Sequence, residues 1–415
     1  MVNLITERPN LLSKFLERFR GCFSNPLFTS FCFYVPGLFL ELKRTNIQAI
    51  TFNSPVASYE NLQYFISEGV WDPEEVNSQR IKILQSSRTT KTCRKGVFVI
   101  DDTSCKKWGI YTEGARPQHC GTEDEVTNCN VLVNSAYCDT KKQYPINLRP
   151  YITEDDPFTG GLEFKSKIEL AMELIDDALE KNLLFSDVVF DSWYFAKEII
   201  SLLEKKNLCW ITEADADRQI SYHGKWVRAD ELVKLIPCTK FNRRVTVPTS
   251  NGKKRSFLFS AFETKVKGID RKVKVVVAMG SWNERDTKKV HVFVTNHLSL
   301  SDEDVIKKYA LRWKIECIFR DLKENVGFDQ YQVRKIKGIC RHWHLSCLAY
   351  TFLLWTKQNG YFSRIFNYKL KTIGEHLQAF RKLNSAVSIK WINQNREIFR
   401  EFLGIHQHLP VLVKI

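Results

Sequence analysis

The 415-residue chain carries twelve cysteines but no CxxC pair, and their scatter excludes both a small disulfide scaffold and a zinc ribbon. The pattern fits reduced thiols in a cytoplasm. The one local cluster, Cys340, His342, His344 and Cys347, falls in an expected helix, where alternate positions face different sides and tetrahedral zinc geometry is not expected. His406 and His408 are a weaker signal still. The start, Met1-Val-Asn-Leu-Ile-Thr-Glu7-Arg8, brings in an acid too early for a secretion signal. The apolar stretch Phe31 to Leu40 is short and broken by Pro36-Gly37, so a membrane span is not expected. Repeats and low-complexity tracts are missing, which excludes a solenoid or a biased linker protein. Acids are in short supply: 47 Asp+Glu against 62 Lys+Arg leave a net charge of +15, a balance that suits a polyanionic partner. With 44% hydrophobic and 13% aromatic residues this is a folded chain, long enough for two or three domains, rather than a disordered basic one.

The most informative stretch present is Tyr309-Ala-Leu-Arg312-Trp-Lys-Ile-Glu316-Cys-Ile-Phe-Arg-Asp-Leu-Lys323. As a helix turning about 100° per residue, it gathers Tyr309, Arg312, Glu316 and Lys323 within roughly 60° of arc. Leu311, Ile315, Ile318, Phe319 and Leu322 fill a broad neighbouring face that can pack into a core. An ordinary surface helix would use such charges as an ion-pair ladder. On the border of a buried face, the acid reads instead as a metal ligand and the cations as phosphate contacts. Two further segments share a pattern of apolar strand ending in acids: Gly96-Val-Phe-Val-Ile-Asp101-Asp102-Thr103 and Asp187-Val-Val-Phe-Asp191-Ser-Trp193-Tyr194. Open α/β sheets place chemistry at the carboxyl ends of their strands. Asp102, Asp191 and Glu316 can therefore converge as three hard oxygen ligands, a set that favours Mg²⁺ or Mn²⁺ over zinc.

The order Asp102, Asp191, Glu316, with Tyr-x2-Arg-x3-Glu-x6-Lys, resembles the DDE transposases of bacterial insertion sequences, in the branch named for that Tyr-Arg-Glu-Lys signature. Asp101-Asp102-Thr103, Gly114-Ala-Arg116, Gly121 and Asn128-Cys-Asn130 resemble the first catalytic block, Phe190 to Tyr194 the second, and Tyr309 to Lys323 with Tyr331-Gln-Val-Arg334 the third. Arg44 to Gln48, Leu62 to Phe65 and Trp71-Asp72 are looser matches upstream. The acid directly before Thr103 fits the family's catalytic Asp, leaving Asp101 a supporting or capping role. The resemblance implies a ribonuclease H-like core and two bound Mg²⁺ or Mn²⁺ ions on Asp102, Asp191 and Glu316. It further implies a homodimer acting on double-stranded DNA at terminal inverted repeats and then at target DNA, in a nucleoid-associated cytoplasmic setting and away from membranes. Arg312, Lys323 and Tyr309 would contact phosphates. In some relatives a tryptophan of the insertion stacks on an extruded base; alignment puts His291 at that position, with Trp282 as another candidate. A stand-alone metal-dependent nuclease, or a catalytically retired DNA-binding protein of the same fold, are the alternatives.

Along the chain, residues 1–95 read as helical, with segments at Leu11 to Phe19, Tyr59 to Glu68 and Pro73 to Leu84 but no clean helix-turn-helix, and resemble a DNA-binding domain. Residues 96–214 read as the first part of a mixed α/β core. Its strands are expected at Val97 to Asp102, Asn128 to Cys138, Tyr144 to Ile152, Asp187 to Asp191 and Leu208 to Thr212. Its helices are expected at Lys165 to Lys181 and Tyr194 to Lys206. Residues 215–298 alternate like strands around a basic turn at Gly252-Lys-Lys-Arg255 and read as a β-rich insertion. Residues 299–335 supply the catalytic helix, and 336–415 a helical C-terminal region.

Overall fold

The computed structural model describes residues 9–40, 45–52, 57–120, 125–156, 163–248, 253–280 and 290–396. Arg44, Gly121, Gly252, Trp282, His406 and His408 lie outside the described residues.

Twelve strands form. They are β1 (Val97–Lys106), β2 (Arg116–Cys120), β3 (Glu125–Cys138), β4 (Gln143–Tyr151), β5 (Val188–Phe190), β6 (Trp210–Glu213), β7 (Gln219–Tyr222), β8 (Lys225–Arg228), β9 (Arg243–Pro248), β10 (Lys254–Thr264), β11 (Val273–Met279) and β12 (Val290–Thr295). Among the described residues ten of them make one mixed sheet in the order β2-β3-β1-β5-β6-β12-β11-β10-β9, with β4 beside β2 on the edge of β3 away from β1; β7 and β8 pair separately. The centre is parallel: β1 runs beside β5, and β5 beside β6, in the register Ile100 to Phe190 and Phe190 to Thr212. Val97–Ile100, Val188–Phe190 and Trp210–Ile211 are fully or almost fully buried, as expected of strands covered on both faces. This register brings Asp101, Asp191 and Glu213 level across three neighbouring strands, Asp101 midway along β1 and the other two at the carboxyl ends of β5 and β6. The stretch from 243 to 295 does not stand apart from that sheet: β12 pairs antiparallel with β6, and β11, β10 and β9 follow outward.

The helices are α1 (Asn10–Glu17), α2 (Asn25–Leu40), α3 (Ile47–Phe52), α4 (Tyr59–Ser67), α5 (Pro73–Ser86), α6 (Lys167–Glu180), α7 (Lys197–Lys205), α8 (Leu232–Leu235), α9 (Asp302–Ala310), α10 (Trp313–Val326), α11 (Ile336–Gln358), α12 (Tyr361–Ile365) and α13 (Ile373–Gln394). α11 is buried along most of its length, and α2, α4, α5, α10 and α13 pack around it. The N-terminal helices thus share one apolar core with the sheet and the C-terminal helices, running from Leu12 to Phe380. Pro36-Gly37 does not end α2. A side chain at 37 would collide with Ile50, so Gly37 lets α3 press against α2. His342, within α11, is spoken for: the Gly327 carbonyl can only accept, so Nε2–H donates to it at 2.9 Å and Nδ1 accepts from Tyr34 Oη at 2.9 Å. Burial pushes its pKa down to about 4, which keeps the ring neutral. No helix among the described residues is long and apolar enough to cross a membrane.

The expected single helix from Tyr309 to Lys323 is two helices. At Leu311 and Arg312 the backbone tightens into i to i+3 hydrogen bonds: Leu311 N–H to Lys308 O at 3.0 Å, and Arg312 N–H to Tyr309 O at 2.8 Å. The α-helical hydrogen bonding is interrupted there, α9 ends, and Arg312 becomes the residue before α10. Gly327 closes α10 in a left-handed conformation (φ +62°), and any β-carbon there would overlap the Thr45 side chain.

Candidate active site

β1 leaves the apolar core at Asp101 and Asp102, which alternate to opposite faces of the strand. Asp101 is buried; its Oδ2 accepts from Arg312 Nη1 at 2.6 Å, and its Oδ1 accepts from the Asp102 N–H at 2.9 Å. Asp102 faces the start of α6, where Lys167 Nζ donates to its Oδ2 at 2.8 Å and Tyr194 Oη to its Oδ1 at 3.1 Å. Lys167 is delivered there by the capping box of Ser166 and Glu169, which fixes the first turn of α6. Asp191 follows β5 and caps the short turn Ser192–Tyr194, its Oδ1 accepting from the Tyr194 N–H at 3.3 Å. Glu316 stands in the first turn of α10, with its side chain 42% exposed and Arg312 Nη1 3.9 Å away.

These acids open into one cleft of about 1100 Å³, lined by Asp101, Asp102, Asp191 and Glu316, by the cations Lys167, Arg320 and Lys323, and by Trp193. Burial raises the pKa of Asp191 and of Glu316. Arg312 opposes the rise at both, and the neighbouring carboxylates add to it. Asp101 is raised well above the usual carboxylate range by burial, against the pull of Arg312. The carboxylates of the lining, Asp101, Asp102, Asp191, Glu316, Glu324 and Asp329, outnumber its cations Lys167, Arg320 and Lys323.

Of the residues singled out in the sequence, Asp102, Asp191, Glu316 and Lys323 line the cleft. Arg312 is not among its lining residues; its guanidinium serves the buried Asp101, which needs a counter-charge. Tyr309 and His291 meet at Glu213 instead. Tyr309 Oη donates to Glu213 Oε2 at 3.2 Å, and His291 Nδ1–H to Oε1 at 2.7 Å. The His291 ring lies parallel to Phe293 (5.9 Å between centroids, 4°) and edge-on to Phe257. The sequence reading missed Lys167, Glu213 and the exposure of Trp193. For Glu213 a signal existed, since it too is an acid ending an apolar strand.

The remaining motif residues fasten the loop after β1 to the segment after α10. Asn130 Nδ2 donates to Glu113 O at 2.9 Å, while its Oδ1 accepts from Tyr331 Oη at 2.8 Å. Glu113 N–H donates to Arg334 O at 2.9 Å. Lys107 Nζ donates to Asp329 O at 2.7 Å and sits 3.3 Å from the centroid of the Tyr331 ring. Arg116 pairs with the buried Asp156 at 2.7 Å.

Residues 18–229, just over half of the chain, match the family model described as DDE superfamily endonuclease. The chain belongs to that family. Residues 166–352 match a second model, the transposase DDE domain. Together the two matches span the acids of the cleft and identify a DDE transposase, an endonuclease class that acts by phosphoryl transfer on nucleic acid. Among solved structures, the Drosophila P element transposase strand transfer complex aligns over 94% of this chain and 92% of that one, at 10% identity and a TM-score of 0.18, a level that carries no argument about fold or function. No curated protein matches the chain.

Proposed function

We propose that the chain is the transposase of a bacterial insertion sequence, of the branch named for the Tyr-Arg-Glu-Lys signature. It would excise DNA at terminal inverted repeats and join it to a target, working as a homodimer on double-stranded DNA. The observation that carries this reading is the single cleft shared by Asp102, Asp191 and Glu316, which come from three distant parts of the chain. The strand order β4-β3-β1-β5-β6, antiparallel hairpin first and parallel strands after, supports a ribonuclease H-like core. In that reading residues 96–214 and 299–335 form the core, 215–298 the insertion, 336–415 the helical C-terminal region and 1–95 the DNA-binding helices.

Divalent metal fits the cleft. The donors are hard carboxylate oxygens, and burial and mutual repulsion raise two of the three acids. Asp102, Asp191 and Glu316 would hold two Mg²⁺ or Mn²⁺ ions, which when bound supply an activated water or 3′-hydroxyl and charge relief at the leaving oxygen. The chain's own cations do the rest. Arg320 and Lys323 of α10 and Lys167 of α6 hold phosphates, and Lys167 exchanges its pairing with Asp102 for a phosphate as the acid is taken up. Arg312 pairs with Asp101 at 2.6 Å and so pins the start of α10 to β1, so that Glu316 faces the other acids.

Inverted repeats bordering the gene supply the test. Footprinting on a fragment carrying the gene and its flanks should show protection at both repeats, and the purified protein should nick there only with Mg²⁺ or Mn²⁺. Protection and nicking with no relation to any repeat would contradict the reading and favour a stand-alone nuclease.

A further inference from the structure

Trp193 is a large indole left 54% exposed on the wall of a polar cleft, two residues beyond Asp191. Its setting is tightly specified. Asp191 caps the turn that carries it, and Tyr194 is buried with its hydroxyl on Asp102. The Trp193 ring packs edge-on against Tyr194 at 4.9 Å. Lys167 Nζ lies 5.2 Å from the Trp193 ring centroid and 5.5 Å from that of Tyr151, which lines the same cleft. Across the acids, α10 contributes Arg320 and Lys323. One wall of the cleft is thus aromatic with a single cation between two rings, and on the α10 side Arg320 and Lys323 alternate with Glu316, Phe319 and Glu324.

We infer that Trp193 is the stacking platform for one unpaired nucleotide beside the scissile phosphate, with Lys167 and the α10 cations holding its backbone. The inference rests on the proposed DNA chemistry at Asp191 and adds a substrate form to it. Bases within a duplex show no free face to a side chain, so an indole at this depth can engage a base only where the pairing is opened or the strand is single. The sequence pointed to His291 for such a role, but that ring already lies parallel to Phe293 and is tied to Glu213. Because Asp191 and Trp193 share one three-residue turn, stacking fixes the base at a set distance from the acids. It thereby selects which phosphate is presented for cutting.

The test uses the full-length protein and two synthetic DNA ends of identical sequence, one fully paired and one with the nucleotides at the cut left unpaired. 2-Aminopurine replaces one base at a time near the cut, and binding is followed in Ca²⁺ to suppress cleavage. Wild type should prefer the unpaired end and change 2-aminopurine emission at one position. Trp193→Ala should lose that change and lose the preference by roughly ten-fold, while Trp193→Phe keeps most of both. Far-ultraviolet circular dichroism separates loss of stacking from loss of folding, and Trp193→Leu, which keeps apolar bulk but has no aromatic face, carries the same test if the Ala variant does not fold. Unaltered preference and emission in folded Trp193→Ala would overturn the platform while leaving the transposase reading intact. Failure of wild type to bind either end would overturn that reading and the platform with it.

Discussion

At the scale of single residues, the acids of the cleft are held at a cost to the fold. Asp191 and Glu316 carry raised pKa values, chiefly through burial, so the folded state binds protons more readily than the unfolded state. The sign follows: the stability associated with these groups is present below the ordinary carboxylate pKa and is lost as pH rises through the raised values. At neutral pH the metal-free protein should therefore gain stability from Asp191→Asn, which keeps a side-chain oxygen to accept the Tyr194 N–H. We expect a rise in melting temperature of about 1 °C, for roughly 1 kcal/mol in a chain of this size. The gain should fade as acidification takes the pH down through the raised pKa of Asp191, because the carboxylate then takes up its own proton. An unchanged or lower melting temperature at neutral pH would show that Arg312 and the backbone already compensate Asp191 fully. The identity of the acids was legible in the sequence because acids at strand ends are a residue-type signal. Their partners were not: Lys167 reaches Asp102 across 65 positions and Tyr309 reaches Glu213 across 96. No local pattern encodes such a meeting.

At the scale of elements, the orientation of α10 is set from both ends of β5. Asp191 ends the strand in the cleft. Asp187 precedes it at the opposite end, with no exposed surface, and accepts from Lys308 of α9 and from His297 Nδ1–H at 2.7 Å. With Cys209 these form the one group of three potential metal ligands gathered within 4.8 Å among the described residues, but Lys308 already supplies the counter-charge. Lys308 lies one helical turn before Arg312, so the buried pair anchors α9 just ahead of the break at which Arg312 meets Asp101. Lys308→Met should cost roughly 3 kcal/mol in urea unfolding, since it strands a buried carboxylate. It should also lower kcat for cleavage more than it raises KM. Adding Asp187→Asn should restore most of the stability, and a Lys308→Met protein as stable as wild type would remove the anchor. The break itself escaped sequence analysis because the apolar spacing of Leu311, Ile315, Ile318 and Leu322 runs on through it. Leu311 and Arg312 keep right-handed helical backbone angles while their hydrogen bonds tighten to i to i+3, so the pattern is not interrupted. Strands were read more securely: β1, β3, β4, β5 and β6 lie where short apolar runs bounded by polar turns put them, with ends shifted by one to four residues. β1 runs on to Lys106, past the acids, because β3 pairs with it along that whole length.

At the scale of the whole molecule, a chain that reads as successive segments folds around shared surfaces. The N-terminal helices close on α11 from the other end of the chain, through contacts such as Arg80 to Thr351 at 3.1 Å and Arg341 to the Gly69 carbonyl at 2.6 Å. β9 to β12 extend the central sheet from the free edge of β6. Composition announces neither arrangement, since both depend on which apolar faces meet. The net charge of +15 and the mixed α/β order were readable, and they agree with a protein that works on nucleic acid. Asp102, Asp191 and Glu316 are proposed to make together one phosphoryl-transfer centre on DNA. Their joint role is tested most directly by cleavage of a supercoiled plasmid carrying the gene and its flanks, in Mg²⁺, by wild type and by Asp101→Asn, Asp102→Asn, Asp191→Asn and Glu316→Gln. Wild type should cut at the element ends, and the last three variants should fall by at least roughly 10³-fold while still binding those ends. Asp101→Asn should retain measurable cutting. Robust cleavage by Glu316→Gln or Asp191→Asn would contradict the account, and an active Asp102→Asn beside a dead Asp101→Asn would move the first acid one position along β1.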